Sequence, residues 1–92
     1  MALAATLKDP SSGRMMDTYT DQPGMQLYTG NFMHGDTVGK DGYVYQKRGG
    51  LCLETQHYPD AINFPEWPTT VLKAGEHYKH TTIYAFRTES SL

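Results

Sequence analysis

The sequence predicts an all-β protein of antiparallel strands, and three observations carry that reading. Arg14 to Thr20 alternates with period two, which puts Met16, Thr18 and Thr20 on one face and Met15, Asp17 and Tyr19 on the other. Turn chemistry recurs between the apolar stretches, first at Asp9-Pro10-Ser11-Ser12-Gly13 and again at Asp21-Gln22-Pro23-Gly24. No stretch sustains the apolar recurrence of an amphipathic helix for three turns.

The elements follow in order. Leu3 to Leu7 is a short apolar segment, and with Arg14 to Thr20 across the Asp9–Gly13 turn it makes a hairpin. Pro23-Gly24 suits the two central positions of a type II turn, where the second needs positive φ. Met25 to Thr29 follows as a strand, and the Gly- and charge-rich stretch Gly30 to Gly42 as a surface loop. Tyr43 to Tyr45 and Leu51 to Thr55 are two more strands around Lys47-Arg48-Gly49-Gly50. Pro59, Pro65 and Pro68 exclude a regular element from Gln56 to Pro68, where Tyr58, Phe64 and Trp67 argue for a packed loop. Thr69 to Leu72 and Tyr78 to Phe86 complete the strands, around a turn at Lys73 to Glu76. The polar tail, residues 87 to 92, is expected to fray.

Composition bounds the function. Ninety-two residues make one domain at most, and 38% hydrophobic residues is thin for a domain core. Eight basic against ten acidic residues leave no basic footprint for nucleic acid or an anionic membrane. The apolar run Ala2 to Ala5 is far below the roughly 18 residues of a membrane-spanning helix. A single cysteine excludes an internal disulfide and fits a reducing compartment, so the expectation is a soluble, cytoplasmic protein.

Candidate chemistry is sparse. In Leu51-Cys52-Leu53-Glu54-Thr55-Gln56, alternation sets Glu54 opposite to Leu53 and Thr55. A carboxylate so placed suits a general base when its face is sheltered, because desolvation raises its pKa. Gln26 sits similarly between Met25 and Leu27, and its amide offers a donor and an acceptor to a hydroxylated ligand. His77 and His80 would point to opposite faces of a strand, and with one cysteine no structural metal site is expected. His34 lies in the Gly-rich loop and His57 at a loop entry, where it could line a pocket. Cys52 lacks a basic neighbour and reads as a buried structural thiol. No nucleophile elbow, P-loop or dinucleotide glycine pattern is present.

Several motifs in order carry a resemblance. Asp9-Pro10-Ser11-Ser12-Gly13-Arg14, Asp21-Gln22-Pro23-Gly24-Met25-Gln26-Leu27-Tyr28-Thr29-Gly30-Asn31, Cys52-Leu53-Glu54-Thr55-Gln56 with Pro59-Asp60-Ala61, and Leu72 to Glu76 with His80-Thr81-Thr82 resemble the galactose mutarotase (aldose 1-epimerase) family. The likeness runs from about Leu3 to Phe86. It implies the C-terminal part of a large antiparallel β-sandwich that interconverts the anomers of free aldoses such as galactose or glucose, without metal or organic cofactor. It implies Glu54 as general base and Gln26 as a sugar contact.

The family's acid histidine, and the arginine, second histidine and aspartate that hold the sugar, belong to segments upstream of this likeness. None of the four histidines here lies in the acid's motif. Gly49, Ala74 and Trp67 stand where the family often has Ser, Pro and Phe. The expectation is therefore one segment, residues 1–92, of a longer enzyme, with a monosaccharide as partner. Alone it would be inactive, and it would require the missing N-terminal portion or self-association. The alternative is a non-catalytic carbohydrate-binding or interaction module.

Overall fold

The structure is a computed structural model and describes residues 1–89. It is all-β, with seven strands and two single-turn 3-10 segments: β1 (Ala2–Lys8), β2 (Arg14–Thr20), β3 (Gly24–Tyr28), β4 (Thr37–Val38), β5 (Val44–Tyr45), β6 (Cys52–Gln56) and β7 (Thr82–Thr88). The chain divides into two compact units, Met1–Gly24 with Thr55–Leu92, and Met25–Glu54.

The larger unit is built on a three-stranded sheet in the order β1-β2-β7, antiparallel throughout. Its hairpin turn is held by Asp9, whose carboxylate accepts from the hydroxyls of Ser11 and Ser12 at 2.9 and 2.7 Å. Gly13 ends the turn at φ +76°, and a Cβ there would lie 2.8 Å from the backbone oxygen of Glu89, so only glycine fits. The register confirms the two faces read from Arg14 to Thr20. Thr18 lies between Ala5 and Tyr84, and Asp17 between Thr6 and Ala85.

Burial on this sheet is narrow. Thr18 and Thr20 are buried, yet Leu7, Tyr84 and Phe86 on the same face are exposed, Phe86 by 77%. Leu3 and Ile83 are exposed on the opposite face. Apolar strand residues thus stand open on both sides of the sheet.

Polar contacts do much of the ordering instead. Asp17 accepts from Thr6 Oγ1 at 2.7 Å and from Arg87 Nε at 2.8 Å, joining all three strands. The hydroxyls of Thr20, Thr82 and Thr55 form a chain at 3.1 and 2.8 Å. Thr18 Oγ1 is fully buried and has no partner among the described residues. A buried, unpaired hydroxyl costs about 1–3 kcal/mol. Thr18→Val keeps the shape and removes that atom, so it is expected to raise stability by about 1 kcal/mol in a thermal melt.

Several features differ from the sequence expectation. Gly24 opens β3 rather than adopting the positive φ of a type II turn. Its missing Cβ matters for packing, since that atom would lie 3.0 Å from the Tyr58 ring. Thr69 to Leu72 is not a strand, and β7 starts at Thr82 rather than Tyr78. In that stretch side chains take the backbone and polar partners: Val71 N–H bonds Thr69 Oγ1, Lys73 N–H bonds Glu76 Oε1, and Thr81 N–H bonds Asp21 Oδ1.

The proline-rich loop does hold one 3-10 turn, Ala61–Asn63, entered through Asp60 in the left-handed region at φ 64°. Its packing is as expected, with Trp67 stacked on Phe64 at 4.2 Å and edge-on to Tyr58 at 5.3 Å. Finally, the tail expected to fray from residue 87 is ordered to Glu89. Arg87 and Thr88 pair with Met15 and Arg14, Glu89 N–H bonds Gly13 O at 2.8 Å, and Lys8 pairs with Glu89. The rest of that tail, residues 90–92, lies outside the described residues.

The smaller unit holds Met25–Tyr28 of β3, Cys52–Glu54 of β6 and the antiparallel β4-β5 pair. The latter lies partly in the stretch read as a loop: Thr37 faces Tyr45 and Val38 faces Val44, across the 3-10 turn Lys40–Gly42.

Candidate active site

Gln26 and Glu54 are the central residues of β3 and β6, two strands that pair with each other. Neighbouring strands lie about 4.8 Å apart, so the sheet brings a primary amide and a carboxylate onto adjacent backbones. Both residues are exposed, so Glu54 lacks, within this chain, the shelter that the sequence reading asked of a base.

Alternation puts Tyr28 on the Gln26 face of β3 and Cys52 on the Glu54 face of β6. Tyr28 and Cys52 both line a cavity of about 390 Å³, with Met33, Tyr43, Tyr45 and Gln46 among its other walls. Gln26 and Glu54 are not among the residues that line it. Cys52 is exposed there, which corrects its reading as a buried structural thiol.

One wall of that cavity is fixed by backbone. Gly30, at φ +76°, accepts from Arg48 N–H at 3.0 Å, and a Cβ on it would sit 3.1 Å from Gly50 O. Arg48 is itself left-handed at φ 59°, and its Nε donates to Asn31 Oδ1 at 2.9 Å. The two loops that follow β3 and precede β6 are clamped together in this way. Sequence reasoning missed the tyrosine walls. Tyr43 and Tyr45, two apart on an extended segment, were the available signal, since such residues share a face.

The histidines agree with expectation at His34 and His57 and differ at His77 and His80. His34 is exposed in its loop. His77 and His80 do not diverge as on a strand, because their segment is irregular; both line a second cavity together with His57. Among the described residues no group of three His, Cys, Asp or Glu side chains is placed to hold a metal ion. No helix among them is long and apolar enough to cross a membrane.

The arrangement thus defines an all-β protein that carries a carboxylate and an amide on two paired strands, groups that between them accept and donate hydrogen bonds to hydroxyls. The family follows from comparison with known proteins: the chain belongs to the aldose 1-epimerase family, whose model matches residues 1–85. It is 51% identical to the galactose mutarotases of Mus musculus and Homo sapiens over 82 residues, 89% of this chain and 24% of each of those proteins. It is 36% identical to the aldose 1-epimerase of Haemophilus influenzae over 83 residues, 88% of this chain and 24% of that protein. The chain spans about a quarter of the length of these relatives.

Proposed function

We propose that the chain is the C-terminal portion of a cytoplasmic aldose 1-epimerase acting on free aldoses such as galactose or glucose. Glu54 is its general base and Gln26 a contact to the sugar. Family membership and the placing of Gln26 and Glu54 on the paired strands β3 and β6 support this reading.

The chemistry is a proton relay. The Glu54 carboxylate removes the proton of the anomeric hydroxyl, C1 and its oxygen become a carbonyl, and the C1–O5 bond breaks. An acid delivers a proton to O5 as that bond opens. Rotation about C1–C2 and the reverse steps close the other anomer. One proton leaves O1 and one arrives at O5, with no change of oxidation state, so the scheme needs no redox cofactor. Gln26 can hold a sugar hydroxyl through either end of its amide.

The acid is not assigned to any histidine of this chain, and it is expected on the remainder of a full-length enzyme. The open apolar residues of the β1-β2-β7 sheet, Leu7, Tyr84 and Phe86 on one face, fit strands whose partners lie in that remainder. The same surface predicts that the free chain self-associates. Sedimentation velocity should show species larger than a monomer, and a single monomeric boundary with a sharp cooperative melt would contradict it.

Exchanging the matching segment of the mouse galactose mutarotase for this chain tests the function. Polarimetry on freshly dissolved α-D-galactose should show mutarotation above the buffer rate for the chimera, and none for the mouse protein lacking the segment. A soluble but inactive chimera that still binds galactose would favour the carbohydrate-binding module.

A further inference from the structure

The second cavity, about 380 Å³ in the larger unit, has a lining unlike that of the first. Four side chains that carry or can take up positive charge, His57, His77, Lys79 and His80, border it beside the hydroxyl-bearing Thr69 and Thr70. No aspartate or glutamate is among its lining residues.

Its histidines are positioned. His80 Nδ1 lies 3.2 Å from Asp21 Oδ1, which also accepts the Thr81 backbone N–H at 3.0 Å. A carboxylate oxygen only accepts, so Nδ1 carries the hydrogen and Nε2 is the ring nitrogen left for another partner. The ring is set further by His57 at 5.4 Å, edge to face, and by Tyr78 at 4.7 Å. Tyr78 is in turn held by Gln22 Nε2, which donates to its hydroxyl at 2.9 Å. The Thr81 N–H, followed by the His80 contact, keeps the Asp21 carboxyl below its ordinary pKa, so this anchor stays negative.

A lysine, three imidazoles and the hydroxyls of Thr69, Thr70 and Tyr78 around one cavity make a set rich in donors, and the hydroxyl hydrogens turn to suit a ligand. The described residues offer no grouping for a metal cation. The chemistry that matches is an anion with several acceptor oxygens. We propose that this cavity is a binding site for a tetrahedral oxyanion, sulfate or a phosphate group, the latter either free or esterified to a small molecule.

The site is also coupled to pH. Imidazoles gain charge as pH falls between 8 and 5, and an anion favours their charged form. By linkage, protons favour the anion equally. The groups facing His80 are Asp21, His57 and Tyr78, and Lys79 borders the same cavity; of these only Asp21 opposes anion binding. It lies on the Nδ1 side of the ring, where its charge is engaged by His80 and the Thr81 N–H.

Sulfate is the suitable probe, because its charge does not change over this range. The full 92-residue chain, titrated with sodium sulfate at constant ionic strength, is followed through its histidine ring signals by NMR. His34, in the other unit and outside this cavity, is the internal control. Saturable shifts at His57, His77 and His80 are expected at pH 6, with His34 unmoved. The dissociation constant should be several-fold larger at pH 8 than at pH 6, because protons and the anion favour one another.

Lys79→Ala and His77→Gln alter exposed residues and should each weaken binding, the lysine variant about fivefold. Inorganic phosphate and a sugar monophosphate, compared at pH 8, separate the two sources. Equal affinity marks a site for the free ion, and tighter binding of the ester marks an ester site. Shifts that do not saturate, that match those in sodium chloride, that move His34 equally, or that survive unchanged in both variants would overturn the proposal.

Discussion

Glu54→Gln, introduced into the chimera with mouse galactose mutarotase, is expected to lower kcat for anomer interconversion by about 10²- to 10⁴-fold, the contribution of a positioned acid or base. KM should change little, because glutamine keeps the length and hydrogen-bonding capacity of the side chain and loses only the ability to take the proton. A thermal melt of the chimera with and without the substitution separates a folding defect from loss of the base. Initial rates by polarimetry at several galactose concentrations provide both constants. A kcat within about threefold of the parent would remove Glu54 from the role of base.

The second effect is a weakening of the β1-β2-β7 sheet in acid. Four carboxyl groups of the larger unit have pKa values lowered by their folded surroundings. Asp17 is lowered first by the hydrogen bond from Arg87 and then by Thr6. Asp9 is lowered by Ser12 and Ser11, Asp21 by the Thr81 backbone N–H, and Glu89 by Lys8. A group whose pKa is lower folded than unfolded stabilises the fold fully above its unfolded value. That contribution fades as pH falls below the ordinary values of 3.8 for Asp and 4.5 for Glu, and it is lost once the folded carboxyl is protonated.

Arg87 stays charged throughout, its own pKa being raised by Asp17, so protonating Asp17 leaves a guanidinium facing a neutral acid across β2 and β7. Amide exchange protection in β2 and β7 should therefore fall as pH is lowered through this range. Asp17→Asn should be less stable near neutral pH and show a shallower decline in acid. An acid profile identical to that of the parent would show that the Asp17–Arg87 pair contributes nothing to stability.

Much of the fold was legible because alternation and turn chemistry are local. Arg14 to Thr20 became β2 with both its faces as read, and Asp9 to Gly13 closed the hairpin through side chains within three residues of each other. The misreadings arise where distant partners decide. Nothing near Arg87 in sequence announces Asp17, so a polar tail read as frayed is ordered to Glu89. Tyr78 and His80 alternate like strand residues, yet Gln22 and Asp21, more than fifty positions away, hold them in an irregular segment. Gly24 is set by the Tyr58 ring rather than by its own turn.

The site shows the same division. Periodicity placed Glu54 and Gln26 on strand faces, but the likeness to a family supplied their roles. The pairing of β3 with β6 was beyond local reading, because twenty-odd residues of loop and hairpin separate them. The tyrosine-walled cavity of the smaller unit depends on the clamp between Gly30 and Arg48, a contact made by backbone atoms that no residue pattern encodes.

The central claim is that this chain carries the base of an aldose 1-epimerase while the acid lies on the remainder of the enzyme. Mutarotation of fresh α-D-galactose by the isolated 92-residue chain tests it most directly. The account predicts a rate no higher than that of buffer, with activity appearing only when the chain is joined to the remainder of a mutarotase. A rate above buffer that disappears in Glu54→Gln would show base and acid acting together within these 92 residues, and would contradict it.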